Sequence, residues 1–127
     1  MIVLGPIAAS AKTARDHVAK IAADWPIDSD DLRMVTSELT SNAIKHVGRD
    51  EIVVDAYVDE DEVEGLYVVE VWDASKEAPM AMFPSNQSIS GRGLWLVQNL
   101  ADDWGYEISD EDEGGKVVYA AWAVKLK

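Results

Sequence analysis

The sequence predicts an α+β fold, a two-layer sandwich of helices on a mostly antiparallel sheet, and three observations support it. Apolar residues recur at helical spacing in three segments and at alternate positions in four others. The alternating segments form two sequential hairpins, in the overall order βααββ, long loop, αββ. The 127 residues contain no repeat or linker, so we predict a single domain over residues 1–127.

The chain begins with a short strand, Ile2–Leu4, which Gly5 and Pro6 terminate, and continues into a first helix. Ser10 is the predicted N-cap of this helix, because a serine hydroxyl can bond an exposed N–H group at a helix start. Pro26 ends the run, since proline interrupts a helix. The apolar stripe of this helix consists of Ala14, Val18, Ile21 and Ala22.

A second, longer helix is predicted to begin at Asp28 or Ser29, either of which can cap it, and to end at Gly48. Asp30 and Asp31 lie in its first turn, where the helix dipole favours acidic side chains. Its apolar stripe consists of Leu32, Val35, Leu39 and Ala43.

The periodicity then changes to the alternation typical of strands. The first hairpin is predicted to pair Ile52–Val58 with Leu66–Trp72, and the last to pair Tyr106–Ser109 with Val117–Val124. Ala74–Ser90 has little periodicity and is predicted to be a long loop, which is unusual in a compact domain unless it serves a function. The third helix follows that loop, and its apolar residues are Leu94, Leu96, Val97 and Leu100.

The composition excludes several kinds of function. With no cysteine, the chain has no disulfide, thiolate zinc site or cysteine nucleophile. Its net charge of −13 disfavours direct binding to nucleic acid. No apolar run approaches the roughly 20 residues of a membrane span, and no secretory signal is visible, so we expect a cytoplasmic protein. Two acidic clusters, at residues 55–64 and 107–113, are predicted to be solvated hairpin loops or, alternatively, a surface for a basic partner.

A polar stripe on the second helix is the first candidate site. Glu38, Asn42 and His46 are spaced four apart, about 6 Å between successive positions on a helix, beside the apolar stripe. An amide oxygen suits Mg²⁺, and a carboxylate one turn away can accept a proton from a nucleophile. The alternative is the solvated polar edge of an amphipathic helix, and for His46 a buried structural histidine.

Two further candidates lie later in the chain. Asp73 ends a very apolar strand, where its carboxylate can accept hydrogen bonds from an exocyclic amine or, alternatively, simply initiate a turn. Gly91 and Gly93 precede the third helix, where backbone N–H groups can approach a phosphate. The alternative there is a flexible turn.

Taken in order, these motifs resemble those of the GHKL (Bergerat-fold) ATPases, and within them the anti-sigma-factor serine kinases of the RsbW/SpoIIAB type. Ser37–Val47 is similar to the family's N box, and Val71–Asp73 to the start of its G1 box. Gly91–Val97 is similar to the G2 box, and Gly114–Tyr119 to the last turn and strand. The resemblance spans nearly the whole chain and implies a mostly antiparallel sheet with about three helices covering one face.

The resemblance also implies roles for individual residues. Glu38 would be the general base, Asn42 would ligate Mg²⁺, and Asp73 would bind the adenine amino group. Residues 74–90 would form a lid over ATP. The remaining nucleotide-binding positions would be His46, Gly91, Arg92, Gly93 and Leu94. Lys45, Lys76 and Arg92 are candidates to offset the charge of ATP in so acidic a protein.

The sequence departs from the family at two places. The G1 pattern D-x-G-x-G is replaced by Asp73-Ala74-Ser75-Lys76-Glu77, and the late strand has Val117 where a threonine is usual near the adenine. The family phosphorylates a serine on an anti-anti-sigma (STAS) partner, binds a sigma factor and commonly acts as a homodimer. Three functions therefore remain open.

The first is an active serine kinase that controls a sigma factor, favoured by Glu38. The second is a regulator-binding module with little or no ATP turnover, favoured by the altered G1 box. The third is the catalytic domain of a histidine kinase, the least expected because no phospho-acceptor helical hairpin is visible in the sequence.

Overall fold

In the part of the chain that the structure describes, eight elements follow one another in the order that the sequence predicts. A computed structural model describes residues 1–47, 51–76, 93–110 and 114–126. The elements are β1 (Ile2–Leu4), α1 (Ala9–Ile21), α2 (Ser29–Val47), β2 (Ile52–Glu60), β3 (Glu64–Asp73), α3 (Gly93–Leu100), β4 (Asp103–Ile108) and β5 (Lys116–Lys125). Among the described residues, no helix is long and apolar enough to cross a membrane.

The five strands form one antiparallel sheet in the order β1-β2-β3-β5-β4. β3 and β5 lie at its centre and pair without a break from Glu64 opposite Lys125 to Asp73 opposite Lys116. The helices cover one face of this sheet, and the α+β two-layer prediction is confirmed.

Alternate strand residues face the helices and form the core. On β2 these are Ile52, Val54 and Ala56, and on the central strands they include Val69, Val71, Val118 and Ala120. The predicted apolar stripe of α2 packs against them, because Leu32, Val35, Leu39 and Ala43 are all buried in the same cluster. α2 contacts α1, α3 and β3, so it is the central helix of the layer.

The chain connectivity places one end of α2 beside one end of the sheet. Residues 48–51 join the last residue of α2 to the first residue of β2, and at that end of the sheet Val53 pairs with Trp72. The carboxyl end of α2 therefore lies at the same end of the sheet as Asp73. The carboxyl end of α3 is fixed further along β5, where the Trp122 indole N–H donates to the Leu100 carbonyl oxygen at 2.9 Å.

The prediction that Ser10 caps the first helix is wrong. α1 begins at Ala9, no side chain caps it, and Ser10 lies inside the first turn. Its buried hydroxyl donates to the Gly5 carbonyl oxygen in the turn after β1 at 2.7 Å, whereas a cap would accept an N–H group. Of the two predicted caps of α2, Asp28 is the one observed, because its Oδ1 accepts a hydrogen bond from the Asp31 N–H at 3.0 Å.

The first hairpin is longer than the sequence predicts, and its acidic loop is shorter. β2 ends at Glu60 and β3 begins at Glu64, two residues beyond the predicted strand ends. Four acidic residues of the first cluster therefore lie on strands, namely Asp55, Asp59, Glu60 and Glu64. The turn is built on Asp61, whose Oδ1 accepts the N–H groups of residues 63 and 64, each at 2.8 Å. These bonds hold the pKa of Asp61 below its ordinary value. Residues 111–113 of the second acidic cluster lie outside the described part of the chain.

Replacing Asp28 with alanine removes the cap of α2, and we expect a loss of about 1 kcal/mol in the free energy of unfolding. Ser29→Ala is the matched control, since Ser29 is the other residue that the sequence offered as a cap. Urea unfolding of the three proteins measures the difference. A larger loss for Ser29→Ala than for Asp28→Ala would contradict the assignment.

Candidate functional site

A buried ion pair occupies the end of the sheet beside α2. Asp73 is the last residue of β3 and Lys116 the first of β5, and they are direct partners in the ladder. Both side chains are 0% exposed, and the Lys116 Nζ donates to Asp73 Oδ1 at 2.9 Å. Because Val71 and Val118, two positions along each strand, face the helices, the pair lies on the helix side of the sheet.

The two oxygens of Asp73 have different surroundings. Oδ1 accepts both the Lys116 ammonium and the Ser75 backbone N–H, the latter at 2.8 Å. Oδ2 is buried, and no residue in the described part of the chain donates a hydrogen bond to it. A buried acceptor without a donor costs free energy, so this oxygen is suited to a ligand that brings an N–H group. Asp73 therefore initiates a turn with one oxygen and offers the other as an acceptor.

Gly115 allows β5 to start this close to the end of β3. A Cβ atom at this position would overlap the Asp73 carbonyl oxygen and press on the Ala74 Cα. The Gly115 carbonyl oxygen also accepts the Ser109 N–H at 2.8 Å, which ties the end of β4 to the same turn. The glycine thus holds Lys116 in register with Asp73.

Lys116 is a site residue that the sequence analysis missed. The family resemblance assigned the late-strand position near the adenine to Val117, and this is corrected by the strand alternation. Val117 pairs with Trp72 and belongs to the opposite face of the sheet, whereas Lys116 pairs with Asp73 on the helix side. The signal was present in the sequence, since Val118, Ala120 and Trp122 form the inward series to which residue 116 also belongs.

Glu38 and Asn42 lie on α2 as predicted, at the edge of the core. Both side chains are half-buried, while Leu39 and Ala43 beside them are buried. Neither the carboxylate nor the amide forms a side-chain hydrogen bond with any residue in the described ranges. Burial raises the pKa of Glu38 above its ordinary value of 4.5, and the Lys45 ammonium opposes that shift. A carboxyl group with a raised pKa is a better proton acceptor near neutral pH than an exposed one.

Three other polar side chains of α2 have internal partners. The hydroxyls of Thr36 and Thr40 donate to the carbonyl oxygens one turn earlier, at 2.8 and 2.7 Å. The Ser37 hydroxyl accepts the Arg15 guanidinium of α1 at 2.9 Å. These bonds fix the helix around Glu38 and Asn42.

The structure places some of the predicted nucleotide-binding residues and does not describe others. His46 is in α2 one turn after Asn42, but its side chain is not described. Gly93 and Leu94 are the first two residues of α3, so the glycine that the sequence analysis placed just before this helix is its first residue. Gly91, Arg92 and residues 77–90 of the predicted lid lie outside the described part of the chain.

The described residues offer few metal ligands of the usual kinds. They contain no group of three or more histidine, aspartate or glutamate side chains that could hold an ion. A Mg²⁺ ion here would therefore depend on the Asn42 amide oxygen, on water and on oxygens of its ligand, which is a common way for proteins to bind Mg²⁺.

Comparisons with known proteins support the fold. The family model of the histidine kinase-like ATPase domain matches residues 7–122. A solved structure of a mycobacterial sensor histidine kinase, MprB, is similar at a TM-score of 0.55 and 14% identity, covering 96% of this chain and 97% of that one. This likeness shows the fold.

A histidine kinase domain from Erythrobacter litoralis EL346, part of a blue-light activated histidine kinase, gives a TM-score of 0.43 at 16% identity, covering 91% of this chain and 59% of that one. No curated protein sequence matches the chain.

Adding a methyl group at Gly115 should disrupt the site from the backbone. We expect Gly115→Ala to lower the free energy of unfolding by about 3 kcal/mol, because the Cβ atom meets backbone atoms that cannot move aside. Gly5→Ala is the control, since a Cβ atom there meets nothing within 4 Å. Equal stability of the two variants in urea unfolding would contradict the close approach of Gly115 to Asp73.

Proposed function

Because the chain belongs to the histidine kinase-like ATPase domain family, we propose that it binds Mg²⁺-ATP and phosphorylates a serine of a protein partner. The observation that carries this proposal is the buried acceptor Asp73 Oδ2, at the end of the sheet where α2 also ends. In finer terms, we propose an anti-sigma factor that phosphorylates an anti-anti-sigma (STAS) partner and sequesters a sigma factor. We propose further that it acts in the cytoplasm as a homodimer.

The adenine end of the site rests on Asp73. An exocyclic amino group can donate to Oδ2, the oxygen that receives no bond from the described residues. Ser75 and Lys116 already bond the other oxygen, so the carboxylate is held in place before the base arrives. Preorganised acceptors of this kind bind more tightly, because little ordering remains to be done on binding.

The phosphate end rests on α2. When bound, Mg²⁺-ATP supplies the transferable phosphoryl group and neutralises part of its charge. The Asn42 amide oxygen is suited to hold the metal, and the start of α3 at Gly93 presents backbone N–H groups without partners in the helix. Glu38 would accept the proton of the serine hydroxyl at its carboxylate, which its raised pKa favours.

The serine acceptor and the sigma-factor role are supported by the motif resemblance and by the retained glutamate at position 38. The fold likeness to MprB, a histidine kinase, does not choose between the two kinds of acceptor, because it reflects the fold alone. The chemistry of the product distinguishes them, since phosphoserine survives acid treatment and phosphohistidine does not.

A second candidate function is a regulator-binding module with little turnover. The observation that favours it is the lack of the G1 glycines after Asp73. Under this alternative, removing the Glu38 carboxylate would change no property of the complex with the partner.

Asn42→Ala should weaken the effect of magnesium on nucleotide binding. In calorimetric titrations with ATP, we expect the wild-type affinity to fall about tenfold when EDTA replaces Mg²⁺, and the variant to lose most of that difference. Asn99→Ala on α3 is the control, because the Asn99 amide donates to the Trp95 carbonyl oxygen on its own helix. A wild-type response to Mg²⁺ in the Asn42 variant would remove the amide as a metal ligand.

Glu38→Gln should bind ATP with an affinity within about threefold of wild type but lose phosphate transfer by about 10²–10⁴-fold, the usual contribution of a general base. The assay is transfer of labelled γ-phosphate to a STAS-type partner, scored as acid-stable product. The wild-type rate should fall as the pH drops through the raised pKa of Glu38, since only the carboxylate accepts the proton. Glu60→Gln, at the exposed end of β2, is the control. Phosphate transfer retained in the Glu38→Gln variant would exclude Glu38 as the base.

A further inference from the structure

Lys116 is the largest fully buried side chain among the described residues, and it carries a charge. Lysine is almost never fully buried unless it is paired, since its ammonium loses strong hydration. The inward positions that follow it on β5, Val118, Ala120 and Trp122, are apolar and buried. An apolar residue at position 116 would continue this series, so packing alone does not require the lysine.

The way the pair is bonded also differs from that of a purely structural ion pair. Two donors, the Lys116 ammonium and the Ser75 N–H, converge on the same oxygen of Asp73. The second oxygen is buried and receives no bond from the described residues. A pair that served only stability would satisfy both oxygens, because a buried acceptor without a donor costs free energy.

From this asymmetry we propose that Lys116 is a positioning residue that sets the base specificity of the nucleotide site. By bonding Oδ1, Lys116 and Ser75 fix the rotation of the carboxylate about its Cβ–Cγ bond, so that its other oxygen, Oδ2, meets the ligand. The inference rests on the proposed function, which places a nucleobase at this end of the sheet. It assigns to this lysine a role at the position that the sequence analysis gave to Val117.

The ligand chemistry follows from the single acceptor. A base with an exocyclic amino group at this point, such as adenine, donates to Oδ2. A base with a carbonyl oxygen there, such as hypoxanthine, places two acceptors against each other in a buried site. Sites built to bond one polar group reject the analogue that lacks it, because the buried group is then left unpaired. ATP and ITP, which differ at this position, are therefore the discriminating probes.

The first experiment measures calorimetric affinities of wild type, Lys116→Met and Lys116→Gln for ATP and ITP with Mg²⁺. We expect wild type to prefer ATP by at least about tenfold, the effect of one buried hydrogen bond. Lys116→Gln keeps a donor for Oδ1 and should retain a preference for ATP. Lys116→Met should bring the ratio of affinities to within about threefold of unity. A folded Lys116→Met variant with the wild-type ratio would overturn the proposal.

A second pair of variants covers the case in which Lys116→Met does not fold, since removing one partner of a buried ion pair is strongly destabilising. In Asp73→Asn with Lys116→Gln, which buries no charge, the new amide at position 116 and the Ser75 N–H should hold the amide oxygen at position 73, so that the amide NH₂ faces the base and the preference reverses towards ITP. Asp73→Asn with Lys116→Met buries no charge, and the reversal should shrink because one of the two donors is gone. Near-UV circular dichroism reports whether each variant is folded.

The outcomes separate this inference from the proposed function. A wild-type protein that binds neither nucleotide contradicts the ATP site itself. A wild-type protein that binds both equally leaves a nucleotide site but refutes the selection by Oδ2. An equal preference for ITP in the two double variants refutes the positioning role of a donor at position 116.

Discussion

The antiparallel ladder between β3 and β5 is the constraint on which the rest of this structure depends. It runs unbroken from Glu64 opposite Lys125 to Asp73 opposite Lys116, so the last pair is fixed by every pair before it. A slip of one residue would turn the whole inward series of one strand to the other face and separate lysine from carboxylate. The same register that buries the central valines therefore also positions the charged pair, so a change that disrupts core packing would also disrupt the site.

The site combines two parts with different rigidity. At the end of the sheet, Asp73 is held by Lys116, by the Ser75 N–H and by the close approach of Gly115, all of them short-range constraints on buried groups. On α2, Glu38 and Asn42 are half-buried side chains beside the apolar stripe that packs into the core. The fixed end is suited to recognising a constant group of a ligand, and the less constrained end to groups that move during a reaction.

The sequence predicts the fold well because its signals there are periodic. The element order, the antiparallel hairpins and the apolar stripe of α2 each repeat one pattern several times, so one misread residue does not change the result. Individual polar residues were less predictable. Ser10 has the chemistry of a cap, but its hydroxyl bonds the Gly5 carbonyl oxygen, a contact that depends on how the turn after β1 folds back. Lys116 was missed because a lysine after two glycines is typical of an exposed turn, although the alternation of Val118, Ala120 and Trp122 extends to position 116. The strand register then places it opposite Asp73.

The buried charge pair also restricts which substitutions this protein can accept during evolution. Losing either Lys116 or Asp73 alone leaves an uncompensated charge in the interior, and such changes typically cost 3–5 kcal/mol. That is a large part of the roughly 5–15 kcal/mol by which a domain is stable. The two positions are therefore strongly epistatic: the usual single-step path between this pair and a neutral one passes through a poorly folded intermediate. A lineage with this lysine would keep both residues or replace both, so positions 73 and 116 should coevolve.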